Sequence, residues 1–185
     1  MHYTSFLAIV ALPGALAFPW GLAPRKSKAN AASTDVTLYA YGRNISGFPV
    51  LYGSSDDLLY VAASNTTVTG LQSVTWDIPS LSDATSTSTT ATLANGTSPG
   101  GMYVNVTTDG TLGTVRVSST NASTGVTTYG QQLVYNTGSS LEAKFWAKEV
   151  TVGGVQVWSL TWNEANEDQD DAVVVNIKTS APAST

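Results

Sequence analysis

Short alternating runs of Val, Tyr, Trp and Thr, each ended by Gly, Asn, Asp or Ser, fill the middle of the chain. Residues of the first group favour strands, and those of the second group favour turns. No segment carries an apolar period of 3.6 residues over the length of an ordinary helix. About ten such runs therefore predict an all-β protein, an antiparallel β-sandwich that is either jelly-roll-like or immunoglobulin-like.

The clearest of these signals is a hairpin between residues 144 and 162. Gly153 and Gly154 stand between two β-rich runs, and glycines supply the positive φ that a two-residue hairpin turn requires. The register that follows pairs residues across the turn as Val152–Val155, Ala147–Leu160 and Phe145–Trp162. One face then collects a layer of the core from Phe145, Ala147, Trp158, Leu160 and Trp162. The alternative is a short helix over residues 140–148, because Ser139 and Glu142 match a capping box.

The other predicted strands have the same alternation. They cover residues 36–41, 49–52, 58–62, 74–78, 102–107, 114–118, 132–135 and 172–178. In the first, Leu38 and Ala40 point to one side while Tyr39 and Tyr41 point to the other. Trp76 is predicted to lie in the core. Residues 80–100, a low-complexity stretch of Ser and Thr, are predicted to form a long exposed loop.

The N-terminal segment has the pattern of an export signal. An apolar run over residues 6–17 ends in Ala15-Leu16-Ala17, which a signal peptidase accepts. The run is shorter than the about 20 residues that a membrane span needs. We expect a signal peptide at 1–17, a linker or pro-segment at 18–34, a sandwich domain at 35–178 and a flexible tail at 179–185. Arg25-Lys26 favours a processed pro-segment, and an uncleaved arm is the alternative.

Glycosylation motifs agree with export. Asn-x-Ser/Thr occurs five times, at Asn44, Asn65, Asn95, Asn105 and Asn121. In an exported chain these motifs predict a glycoprotein. Strand alternation puts Met102, Val104 and Val106 on the buried face, so Asn105 is expected to face solvent.

Composition excludes several kinds of chemistry. The chain has no Cys, and its single His is His2, inside the predicted signal peptide. Thiolate and imidazole catalysis and Cys or His metal ligands are therefore not expected, and we predict no catalytic residue, metal or cofactor. The net charge of −5 argues against nucleic acid and anionic membranes as partners.

Acidic residues leave two further possibilities. A run at 163–171 is either a Ca²⁺ site or a solvated loop, and it lacks the spacing of an EF-hand. Its carboxylates are Glu164, Glu167, Asp168, Asp170 and Asp171. A glycoside hydrolase would need two carboxyl groups across a cleft. The candidates on or near predicted strands are Asp77, Glu142, Glu149 and Glu164.

Aromatic side chains indicate a binding surface. Tyr39 and Tyr41 share one strand face, about 7 Å apart, and Trp146 lies on the hairpin face opposite the predicted core. Exposed rings stack against the apolar faces of sugars, so these three are candidate glycan-binding residues and cell-wall polysaccharide is the candidate partner. The alternative places the same rings in the core or at its rim.

Three segments carry a resemblance to a known group of proteins. They are Thr37-Leu-Tyr-Ala-Tyr-Gly42, Gly47-Phe-Pro-Val-Leu-Tyr52 and Leu59-Tyr-Val-Ala62. With the predicted signal peptide and linker, the chain resembles small secreted β-rich proteins of filamentous ascomycete fungi. The resemblance implies an extracellular or cell-wall setting. The leading expectation is a secreted, non-enzymatic glycoprotein. The alternatives are a glycan-binding module and a small carboxylate-pair glycoside hydrolase.

Overall fold

The computed structural model describes residues 31–183, so the predicted signal peptide and residues 18–30 lie outside the described part. Since these residues form no helix, they contain none that is long and apolar enough to cross a bilayer. The strands, in chain order, are β1 Ser33–Val36, β2 Tyr39–Gly42, β3 Ile45–Gly53, β4 Leu59–Val61, β5 Leu71–Ile78, β6 Thr90–Leu93, β7 Gly100–Val104, β8 Gly113–Ser118, β9 Val126–Tyr129, β10 Gln132–Asn136, β11 Leu141–Glu142, β12 Phe145–Val152, β13 Val155–Trp162 and β14 Ala172–Lys178.

All pairings between these strands are antiparallel, which confirms the predicted fold class. A first sheet contains β1, β5, β6, β7 and β8. A second contains β2, β9, β10, β11 and β14 with the start of β3, and a third is built around β4, β12 and β13. Four strands, β3, β5, β8 and β14, each pair in two sheets. The result is a sandwich-like arrangement in which all fourteen strands belong to one connected hydrogen-bond network.

The core lies between these sheets and takes side chains from each. Trp76 on β5, Ile177 on β14 and Trp162 on β13 are all fully buried in one apolar cluster. Each buried side chain of this size contributes at roughly 25 cal/mol per Å² of apolar surface removed from water. The alternation predicted for residues 36–41 is also confirmed, because Leu38 and Ala40 are fully buried.

The predicted hairpin of β12 and β13 is confirmed residue by residue. Phe145 pairs with Trp162, Ala147 with Leu160 and Val152 with Val155. The helix alternative for residues 140–148 is wrong, since β11 and the start of β12 occupy that segment. Trp158 lies in the predicted layer but is only half-buried, with its ring centroid 5.9 Å from that of Phe48.

The prediction of a long exposed loop at residues 80–100 is wrong. β6 lies inside this segment, and Ala84, Thr89 and Ala91 are fully buried. The Thr89 hydroxyl donates a hydrogen bond to the Val126 carbonyl at 2.9 Å. A Thr-rich stretch can therefore pair as a strand when its hydroxyls find acceptors. The low complexity of the sequence had favoured a loop at these residues.

Strand β8 passes between two sheets at Gly113. Gly113 pairs with Trp162 in the third sheet, and from Val115 onward β8 pairs with β7 in the first. A Cβ added at Gly113 would lie 1.7 Å from the Asn105 carbonyl oxygen. The backbones approach so closely at this corner that only glycine fits.

Candidate functional site

The predicted tyrosines lie on the outer face of the second sheet. Their neighbours Leu38 and Ala40 point into the core, so Tyr39 and Tyr41 point outward, and both are half-buried. The two rings therefore share one outer surface, as the alternation predicted.

Cross-strand pairing extends this surface with residues that are distant in sequence. Tyr39 pairs with Lys178, Lys178 pairs with Gln132, and Gln132 pairs with Tyr129. Tyr129 is 61% exposed. Three strand spacings separate Tyr39 from Tyr129, a distance of about 14 Å. The row thus has an aromatic ring at each end, with an amide and an ammonium group between them.

Polar contacts organise the centre of the same surface. Gln132 Nε2 donates to Asn176 Oδ1 at 3.0 Å, and Asn176 pairs with Tyr41. Lys178 Nζ lies 5.1 Å from the centroid of the Tyr41 ring, within cation–π range. We call this surface the tyrosine face, and define it as Tyr39, Tyr41, Tyr129, Gln132, Asn176 and Lys178.

The C-terminal segment borders the tyrosine face. Residues 179–185 were expected to be a flexible tail, yet the Thr179 amide donates to the Gln131 carbonyl at 2.9 Å. The Tyr41 hydroxyl donates to the Ser180 carbonyl at 2.9 Å, and Pro182 lies against Gly47. As far as Pro182, this segment is therefore held by contacts to Gln131, Tyr41 and Gly47.

Trp146, the third candidate, lies elsewhere and is only 3% exposed. It points away from the core cluster, as its register predicts, but β12 is flanked by β13 and β14, which pair with Trp146 at Thr161 and Val174. A ring so deeply covered offers no face to a sugar. The expectation of an accessible Trp146 is therefore corrected by its place in a central strand.

The five Asn-x-Ser/Thr sites differ in exposure. Asn105 is half-buried and the others, Asn44, Asn65, Asn95 and Asn121, are exposed. The expected alternation through Val106 is wrong, because β7 ends at Val104 and Val106 is 41% exposed. The Asn105 amide still donates to the Thr114 carbonyl at 3.0 Å, one residue beyond the end of β7.

Two of the four candidate hydrolase carboxylates converge, on Lys144. Lys144 Nζ lies 3.0 Å from Glu142 Oε2 and 3.0 Å from Glu164 Oε1. The Trp162 indole donates to Glu164 Oε2 at 2.9 Å. Asp77 instead accepts a bond from the Asp35 amide. Glu149 is exposed on the sheet, opposite Trp158 in the register.

The electrostatics of this cluster do not suit a general acid. The Trp162 indole, and then the Lys144 ammonium, outweigh burial and lower the pKa of Glu164. Burial lowers the pKa of Lys144, but Glu164 and Glu142 together raise it above its usual range. A glycosidase acid needs a carboxyl with a raised pKa, so this cluster has the character of a structural ion pair.

The acidic run at 163–171 is organised by its own backbone. Asn163 is fully buried and donates through Nδ2 to the Glu167 carbonyl at 2.7 Å. Asp171 pairs with Lys148 at 2.8 Å. Across residues 31–183, no three Asp, Glu or other ligating side chains gather in a way that would hold a metal ion.

A pair of aspartate–tyrosine contacts closes the turn between β3 and β4. Tyr52 donates to Asp57 Oδ1 at 2.5 Å, and Tyr60 donates to Asp56 Oδ2 at 2.5 Å. The bond to Asp57, with burial, raises the pKa of Tyr52 to about 12. Burial, and then the bond to Asp56, raises the pKa of Tyr60 above its usual range.

These contacts predict late tyrosine ionisation and a loss of stability in alkali. Unfolded tyrosine ionises near pH 10, so the contribution of Tyr52 to stability is complete below about pH 10 and declines as pH rises towards 12. An absorbance titration of tyrosinate should show two late groups, and Asp57→Asn should return one of them, Tyr52, towards the ordinary range. Ionisation of Tyr52 unchanged by Asp57→Asn would contradict the assignment.

Comparison with protein-family models, with curated proteins and with solved structures found no match. The assignment of the tyrosine face as a candidate site therefore depends on the geometry of its residues alone. Sequence reasoning found Tyr39 and Tyr41 but missed Tyr129, Gln132, Asn176 and Lys178. The exposed aromatic next to the Gly130 turn was the one signal that pointed to Tyr129.

Proposed function

We propose that this protein is an exported, non-enzymatic glycoprotein of the cell exterior or cell wall that binds polysaccharide through the tyrosine face. The observation that carries the proposal is the row that joins Tyr39, Lys178, Gln132 and Tyr129 across four strands. A row of this kind is extended, which suits a chain of sugars better than a compact metabolite.

The tyrosine face offers both kinds of group that contact sugars, namely aromatic rings and hydrogen-bonding amides. Aromatic rings offer apolar contact area at a low cost in side-chain entropy, and the rings of Tyr39 and Tyr129 stand at the ends of the row. The Gln132 amide lies between them and already donates one hydrogen bond to Asn176, so its orientation is fixed. Sugar hydroxyls both donate and accept, and the two amides supply the matching groups.

Hydrolysis receives less support than binding. The carboxylates that converge are both tied to Lys144, and the pKa of Glu164 is lowered rather than raised. The tyrosine face itself contains no carboxyl group. An inert wall glycoprotein with no ligand is the remaining alternative, and the binding experiment below separates it from the proposal.

The test is a pull-down and an affinity measurement with cell-wall polysaccharides. Tyr39→Ala and Tyr129→Ala should each weaken binding by about 2 kcal/mol, roughly thirtyfold in Kd. Tyr103→Ala is the matched control, because Tyr103 is a half-buried ring on the first sheet that also contacts a cation, Arg116, at 5.1 Å. Tyr103→Ala should bind like the wild type.

Two results would contradict the proposal. One is a wild-type protein that binds no wall polysaccharide, which would leave the inert glycoprotein as the better account. The other is full binding by the double variant Tyr39→Ala, Tyr129→Ala, which would move the site away from this face.

A further inference from the structure

We infer that the polysaccharide is acidic, with a uronic-acid carboxylate that pairs with the Lys178 ammonium. This inference rests on the proposed function, since it names the class of glycan for the same tyrosine face. It starts from the charge of Lys178 rather than from the rings.

Lys178 has no carboxylate partner among the residues that the structure describes. The ion pairs in this range join Lys144 to Glu142 and Glu164, and Lys148 to Asp171. The Lys178 ammonium instead lies over the Tyr41 ring, 5.1 Å from the centroid. An ammonium group has three N–H donors, so a contact with one ring leaves it the capacity to bind a carboxylate as well.

The tyrosine face around Lys178 has no acidic member, in a chain that is acidic as a whole. The chain has 13 Asp and Glu against 8 Lys and Arg, yet none of the six residues of the tyrosine face is Asp or Glu. Within residues 31–183, Lys144 and Lys148 pair with carboxylates, and Lys178 is the one lysine that does not. A cation left uncompensated on a ligand-binding face is a site for an anion carried by the ligand.

Tyr41 acts in this scheme as a positioning residue. Its hydroxyl is held by the Ser180 carbonyl at 2.9 Å, and its ring lies beneath the ammonium. Tyr39 and Tyr129, to either side of Lys178 in the row, are then the rings that stack on sugar.

The experiment compares three probes: polygalacturonate, its methyl ester and a neutral β-glucan. The ester keeps the sugar chain and removes the charge. We expect the wild type to bind polygalacturonate about fivefold more tightly than the ester, and this preference to fall as salt is raised. Lys178→Gln should bind both forms equally. Lys148→Gln makes the same change of charge at a lysine paired with Asp171, and should keep the preference.

The possible failures are distinguishable. Equal binding of acid and ester by the wild type, with binding still lost in Tyr39→Ala, overturns the acidic glycan and leaves the proposed function intact. A preference for the acid that survives in Lys178→Gln overturns the role of Lys178. Failure of the wild type to bind any of these probes or the wall polysaccharides overturns both the proposed function and this inference.

Discussion

Replacing Trp162 by alanine should lower the free energy of unfolding by about 3–5 kcal/mol. Trp162 is fully buried, and its ring meets those of Phe145 and Tyr135 edge-on, with centroids 5.0 Å and 5.6 Å apart. Alanine removes both aromatic contacts and leaves a cavity in a rigid part of the core, because Trp162 also pairs with Phe145 and Gly113 through its backbone.

Urea unfolding measures this loss directly. Trp158→Ala is the matched control, since Trp158 lies on the same strand but is half-buried and should cost less. If the alanine variant does not fold, Trp162→Phe keeps one ring in place and gives a smaller, measurable loss. A Trp162→Ala variant as stable as Trp158→Ala, or more so, would mean that the core does not depend on this ring as described.

The second large effect is expected at Gly113. Gly113→Ala should destabilise the protein by about 3 kcal/mol, because the new methyl would lie 1.7 Å from the Asn105 carbonyl oxygen. The obstacle is backbone, so it cannot move aside as a side chain would. Relief requires the end of β7 to separate from β8, which breaks the bond from the Asn105 amide to the Thr114 carbonyl.

Gly70→Ala provides the comparison for this prediction. Gly70 has a φ of +89°, and a Cβ there would meet no atom within 4 Å, so alanine pays only backbone strain of about 1–2 kcal/mol. The difference between the two variants in thermal or urea unfolding isolates the collision at Gly113. Equal stability of the two variants would show that the corner between β7 and β8 has room to adjust.

Local signals explain which parts of the fold could be predicted from the sequence. The hairpin of β12 and β13 was predictable because Gly153 and Gly154 fix the turn, and one turn fixes every pair that follows. The pairing of β5 with β3 and of β13 with β8 was not, since no local signal says which distant strand lies alongside. β6 was missed for a different reason, namely that its Thr-rich sequence looks like a linker.

The same reasoning applies to the candidate site. Tyr39 and Tyr41 follow from alternation within a single strand. Lys178 and Tyr129 join them only through β14 and β10, which follow far along the chain. For Trp146, alternation predicted the correct side of the sheet for the side chain. Its burial could not be predicted in the same way, because it depends on the flanking strands β13 and β14.

The four strands that belong to two sheets at once also govern how the molecule comes apart. Each of these strands is hydrogen-bonded in both sheets, so separating one sheet would also break hydrogen bonds of the neighbouring sheet. Partial opening is therefore nearly as costly as complete denaturation, and the protein should melt in a single cooperative step. For a chain without a single cysteine to cross-link it, that interlocking is what resists local unfolding.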